Sequence, residues 1–254
     1  MAGDYDWLIL SLVPITGFVA GFINTLAGSG SLITLPILIL LGLPANVANG
    51  TNRVGILFQN IVAVSTFWRH GRLEGQRPAP LIVPSVLGAV LGAQLAVNLD
   101  ETVLRRTIAG LMLFMLALVI VRPRRWLESH DREPALAYHW RFVIFFAIGA
   151  YGGFIQAGVG FFLLTGLVLG AGYSLVGSNA IKNLIVLFFT IAALAVFLWN
   201  DQVRWGVGLL LAAGNACGAW LAARMAIARG APFVRWALIV ILTVASVLML
   251  LEGF

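Results

Sequence analysis

Charge is scarce in this chain, and carboxylates are missing from the places where they would matter most. Charged residues make up 10% of the 254 and apolar residues 61%, against roughly 25% and 45–50% in soluble domains. So little charge cannot cover a water-facing surface, which excludes a soluble globular protein. The ten acidic residues are Asp4, Asp6, Glu74, Asp100, Glu101, Glu128, Asp131, Glu133, Asp201 and Glu252. All fall at chain ends or in expected connections, which excludes the usual intramembrane carboxylate site for a cation and the usual carboxylate proton relay. His70, His130 and His139 lie in connections as well. Cys217 is the only cysteine, so there is no intrachain disulfide and no cysteine-based metal cluster; it reads as a packing residue in a run of small side chains. No metal or other cofactor is expected. An enzyme would need a nucleophile, an acid/base pair or metal ligands close together, and one cysteine with three scattered histidines offers no such set. The net charge of +6 comes from arginines at loop ends and is no sign of a nucleic-acid surface. The first residues carry Asp4 and Asp6 but no Lys or Arg, unlike the basic start of a cleaved signal peptide, so the first apolar run is expected to be retained.

What remains is a series of apolar runs, at residues 7–27, 31–42, 47–68, 80–97 and 103–121, then at 142–156, 161–171, 178–199, 206–223 and 233–251. A crossing needs about 20 residues. The runs at 31–42 and 161–171 are short for that, and read as tilted helices or as half-helices that enter and stop. Between the two sets of five lies a basic linker, 122–141, with Arg122, Arg124, Arg125, Arg132 and Arg141. The expected fold is an all-α polytopic membrane protein with a first repeat at 1–121, a cytoplasmic linker at 122–141 and a second repeat at 142–254.

The repeat is legible residue by residue. Gly21-Phe22-Ile23-Asn24 returns as Gly153-Phe154-Ile155-Gln156. A Gly/Ser knot at Gly28-Ser29-Gly30-Ser31 is matched by Gly158-Val159-Gly160. The polar cluster Ala48 to Arg53 is matched by Ser178 to Asn183, and Gly88 and Gly92 by Gly214 and Gly218. Gly-x-x-x-Gly faces let helix backbones approach closely in lipid, and are compatible with a homodimer. Arginine bias swaps between the halves: Arg69, Arg72 and Arg77 mark one connection of the first half as cytoplasmic, whereas Arg224, Arg229 and Arg235 mark the following connection of the second. Equivalent loops on opposite faces mean inverted repeats. Each half then crosses an odd number of times. Ten membrane segments are favoured, with a re-entrant hairpin in each half as the alternative. Both termini fall on the far side from the cytoplasm.

Two cations, Arg53 and Lys182, fall inside expected segments, and Lys182 is the only lysine. A bare cation in hydrocarbon costs at least about 2.5–3.5 kcal/mol. With no acidic partner nearby, a bound anion, a water-filled cavity or the backbone carbonyls of broken helices must offset it. The polar neighbours are Asn24, Thr25, Ser29, Ser31, Asn49, Thr51 and Asn52 in the first half, and Gln156, Ser178, Asn179 and Asn183 in the second. Gly28, Gly30, Gly158 and Gly160 permit tight turns and leave amide N–H groups free. A half-helix that starts at such a break points its positive end toward an anion. These residues together are the candidate substrate site, formed where the two broken segments meet.

The pattern Gly-Phe-Ile-Asn-x-x-Ala-Gly-x-Gly-Ser-Leu-Ile-x-Leu-Pro-x-Leu, followed by Leu-Gly-Leu-Pro and Ala-Asn-Gly-Thr-Asn, resembles the sulfite exporter TauE/SafE family of bacterial membrane permeases. Arg69-His70-Gly71-Arg72-Leu73 and Gly88 to Ala96 fit it too. The resemblance covers almost the whole chain. The second half departs from the pattern, with a poorer glycine turn and with Lys182 where small or hydroxyl residues are more usual. The resemblance implies a multi-pass protein of the bacterial inner membrane that exports small sulfur-containing oxyanions such as sulfite or organosulfonates. The residues alone argue only for the sign of the guest's charge, and for a transporter or an anion channel on the same scaffold.

Overall fold

The computed structural model describes residues 7–73, 78–121 and 137–251. Most of the basic linker (122–136), Arg77, and the acidic residues Asp4, Asp6, Glu74, Glu128, Asp131, Glu133 and Glu252 lie outside the described residues. Among the described residues every regular element is helical: α1 (Trp7–Ala27), α2 (Ser31–Leu40), α3 (Ala45–Arg69), α4 (Ala79–Val97), α5 (Glu101–Val121), α6 (Tyr138–Phe154), α7 (Val159–Thr165), α8 (Leu175–Trp199) and α9 (Trp205–Leu251).

Local chemistry explains most of the boundaries. α1 stops where Gly28 takes a left-handed conformation, φ 76°, which a glycine adopts without the clash a Cβ would cause. α2 ends at a turn through Gly42 and Pro44, and Pro44 stands at the N-cap of α3. α8 begins three residues before its expected start, because the Ser174 side chain caps it by accepting from Gly177 N at 3.2 Å. α7 is followed by a π-helical turn, Gly166–Gly170. The connection expected between 206–223 and 233–251 is compressed to a single break: α9 is two helices that meet at Gly230, whose backbone is non-helical (φ 68°), with Pro232 just beyond. Glycine turns the chain and proline lacks the N–H needed to continue the ladder, so two residues do the work of a loop.

Among the described residues four stretches are long and apolar enough to cross a membrane: Leu10–Ala27, Ala79–Val97, Leu175–Trp199 and Trp205–Val234. α2 and the stretch Val159–Gly170 are apolar but short. α3 has 25 residues, yet its amides and Arg53 lower its hydropathy.

Packing between helices is set by glycines. Gly17 and Gly21 of α1 lie against the backbone of Leu211 and Asn215 on α9, while Gly214 and Gly218 of α9 lie against the backbone of Pro14 and Phe18 on α1. Gly88 and Gly92 of α4 meet Phe146 and Ala150 of α6 in the same manner, and Gly149 and Gly153 of α6 return the contact to Ser85 and Ala89. A methyl group at any of these positions would overlap a neighbouring backbone atom. α1 thus pairs with α9 and α6 with α4, each pair joining a helix from before the linker to one from after it. α3 and α8 run through the middle, and the two glycine knots meet beside them.

Candidate functional site

α1 and α6 both end inside the protein, and a helix end leaves its last four carbonyls without intrahelical donors. Buried away from water, each such carbonyl costs about 1–3 kcal/mol unless another donor reaches it. Here α3 and α8 supply those donors. Lys182 Nζ of α8 donates to the carbonyls of Asn24 (3.1 Å) and Thr25 (2.6 Å) at the end of α1. Asn183 Nδ2 donates to Asn179 O at 2.8 Å and to Thr25 O at 3.3 Å. At the end of α6, Arg53 of α3 donates to the carbonyls of Gly152 (3.1 Å) and Gly153 and to Gln156 Oε1 (3.3 Å). Asn49, one turn earlier on α3, donates to Phe154 O at 2.8 Å. The negative end of a helix dipole favours a cation at this position. The Arg53 guanidinium also lies over the Phe197 ring, 4.7 Å from its centroid. Both cations are buried. Of the offsets that the sequence leaves open for them, backbone carbonyls of broken helices are the one observed.

The two knots touch. Gly160 N donates to Gly28 O at 3.3 Å, and a Cβ on either glycine would overlap the other's backbone. Gly28 N donates to Asn24 O at 2.8 Å. The amides of Gly28 and Gly160 are therefore committed, which corrects the expectation that the breaks leave them free. Close approach of the two main chains supplies the acceptor for Gly160, and the last turn of α1 supplies the one for Gly28.

Beside this contact lies a small cavity lined by Asn24, Gly28, Gln59, Asn60, Gln156, Val159, Gly160, Lys182, Asn183 and Val186. Its room is on the scale of one water molecule. No carboxylate is among these residues. The knot amides are braced within their own halves: Asn24 Nδ2 donates to Gln59 Oε1 at 3.0 Å, and Gln156 Nε2 donates to Thr190 Oγ1 at 2.9 Å. The buried Asn60 Oδ1 and Asn183 Oδ1 have no partner.

The remaining candidates are buried but engaged elsewhere. Asn52 accepts from Thr34 Oγ1 (2.7 Å) and donates to Ser31 Oγ (3.1 Å), tying α3 to α2. Thr51 Oγ1 accepts from Arg204 N at 2.9 Å, which holds the start of α9. Ser178 Oγ donates to Tyr173 O at 3.3 Å. Asn179 is buried with neither amide atom partnered, Thr25 Oγ1 and Asn49 Oδ1 are likewise unpartnered, and Ser29 is buried. Gly30 precedes α2 in ordinary helical geometry, whereas Gly158 precedes α7 with φ 74°. Arg53 reaches the cavity only through Gln156. Gln59, Asn60 and Thr190 are site residues that the sequence reading passed over. Their signal was available: Asn60 stands seven residues after Arg53 and Thr190 seven after Asn183, two turns on along the same helix face.

The family model for the sulfite exporter TauE/SafE family matches residues 13–249. The chain is 30% identical to the probable membrane transporter protein ORF9 of Sinorhizobium sp over 249 residues, covering 98% of this chain and 94% of that one. It is 28% identical to a probable membrane transporter protein of Haemophilus influenzae, with 89% of each chain covered. It is 26% identical to the probable membrane transporter protein YfcA of Escherichia coli K12, with 97% of this chain and 91% of that one covered. With buried cations, apolar spans and this match over nearly its whole length, the chain belongs to the sulfite exporter TauE/SafE family and is a membrane transporter, not an enzyme.

Proposed function

We propose that the protein is a secondary transporter for a small anion, with sulfur-containing oxyanions such as sulfite or organosulfonates as cargo and export across the bacterial inner membrane as the direction. One observation carries the charge preference: the Lys182 ammonium stands in the wall of a cavity whose lining holds no carboxylate. An oxyanion there meets the lysine together with amides from both broken segments. The family name supplies the sulfur.

The two halves, 1–121 and 142–254 joined by 122–141, are read as inverted repeats of about five segments with both termini periplasmic. The reciprocal glycine pairings of α1 with α9 and of α4 with α6 support this, as does the crossed capping, in which a cation from each half holds the broken helix of the other. An oxyanion is larger than the present cavity, so admission requires the knots to part. Crossed capping makes that motion alternate: releasing the end of α1 leaves the end of α6 held.

The test is counterflow of labelled sulfite in vesicles containing the purified protein. Saturable exchange that falls at least about tenfold on Lys182→Gln supports the carrier. Unchanged exchange removes Lys182 from the site. A sulfite current without saturation would make the protein an anion channel instead.

A further inference from the structure

The cavity wall is not purely a donor surface. Lys182 commits two of its three ammonium hydrogens to the carbonyls of Asn24 and Thr25, which leaves one for a guest. Asn60 and Asn183, in the same lining, offer the opposite chemistry. Each amide is held in one orientation by a backbone carbonyl: Asn60 Nδ2 donates to Ile56 O at 2.8 Å and Asn183 Nδ2 to Asn179 O at 2.8 Å. Turning either amide over would set oxygen against oxygen. Their Oδ1 atoms are thus acceptors by construction, buried and without a partner. An oxyanion stripped of protons has only lone pairs, so it would satisfy the lysine while facing two carbonyl oxygens that repel it. A guest that also carries an O–H answers both demands.

Resting on the anion-transporter reading, we infer that the cavity is built for an oxyacid monoanion that keeps a hydroxyl, of the form HO–XO2−, with Lys182 donating to its oxygens and Asn60 or Asn183 accepting its hydrogen. Hydrogensulfite is the sulfur example. Each crossing then carries one proton on the substrate itself, and no protein carboxylate is needed to move it.

The test compares hydrogensulfite with methanesulfonate, which has the same charge and three oxygens but no hydroxyl, its methyl group being bound to sulfur beside them. Binding of each to the purified full chain in detergent is measured by titration calorimetry at a mildly acidic pH where both are monoanions. Hydrogensulfite is expected to bind about tenfold more tightly or better, because methanesulfonate leaves the buried acceptors unpaired. Raising the pH should weaken sulfite binding in step with loss of the monoanion and leave methanesulfonate unchanged. In Asn60→Leu, Asn183→Leu and the double variant, the preference should shrink toward parity; a preference that survives the double substitution overturns the inference. Equal affinity for the two anions in the unaltered protein also overturns it, but leaves the anion reading standing. If neither anion binds and the cavity serves only a water molecule, both fall.

Discussion

The two broken helix ends solve one problem with different cations, and the difference separates anchoring from binding. At the end of α6, Arg53 spreads a planar fork over two carbonyls and Gln156 and stacks on Phe197. It stands outside the cavity lining. At the end of α1, Lys182 meets two carbonyls with a compact ammonium and also forms part of the cavity wall. A guanidinium suits a position where several fixed acceptors must be met at once, whereas an ammonium can hold two and keep a rotatable hydrogen for a guest. Arg53 is therefore the anchor, and Lys182 is both anchor and wall.

Arg53→Met should have the largest effect on stability. Two buried carbonyls and Gln156 lose their donor at about 1–3 kcal/mol each, so a loss of at least about 3 kcal/mol is expected. Unfolding of the purified protein in detergent micelles measures it, and a change below about 1 kcal/mol would end the anchor reading. Lys182→Met should cost less, about 1–3 kcal/mol, because Gly28 N still donates to Asn24 O and Asn183 Nδ2 to Thr25 O; unlike any change at Arg53 that keeps the fold, it should abolish anion counterflow. Full counterflow in that variant would erase the distinction drawn between the two ends. Arg53→Lys sharpens the comparison: charge is kept and the fork is lost, for about 2 kcal/mol of stability with counterflow retained. Thr190→Val should be mildest. It frees Gln156 Nε2 of its brace for about 1 kcal/mol, and a rise in the Michaelis constant without loss of folded protein would show that Gln156 positions the guest.

Much of this arrangement was legible before any coordinates. The expected first helix and α1 share their bounds, and the short runs are the short helices α2 and α7. The knots do meet, at Gly28 and Gly160. What misled was the step from glycine to free amide, since whether an N–H is free depends on what lies opposite. The connection expected within 224–232 is there, but it is shorter than a loop, because the break is confined to Gly230. Arg224 lies over the Trp220 ring and Arg229 over the Phe233 ring, so the chain carries these charges on helix right up to the break at Gly230.

Composition and local residue chemistry determined the membrane class, the positions of the helix breaks, and the burial of two cations without acidic partners. Those properties follow from hydrocarbon thickness, from what glycine and proline permit, and from the cost of charge in lipid, all of which act within a few residues. Tertiary structure alone decided what each cation holds, because Arg53 and Lys182 reach carbonyls 99 to 158 residues away. It also decided that Gln59 and Asn60 line the cavity while Ser31, Thr51 and Asn52 serve as tethers. All five are polar residues in apolar surroundings. Their roles part only when the helices cross, since the crossing sets which polar groups find partners and which are left facing the space between the knots.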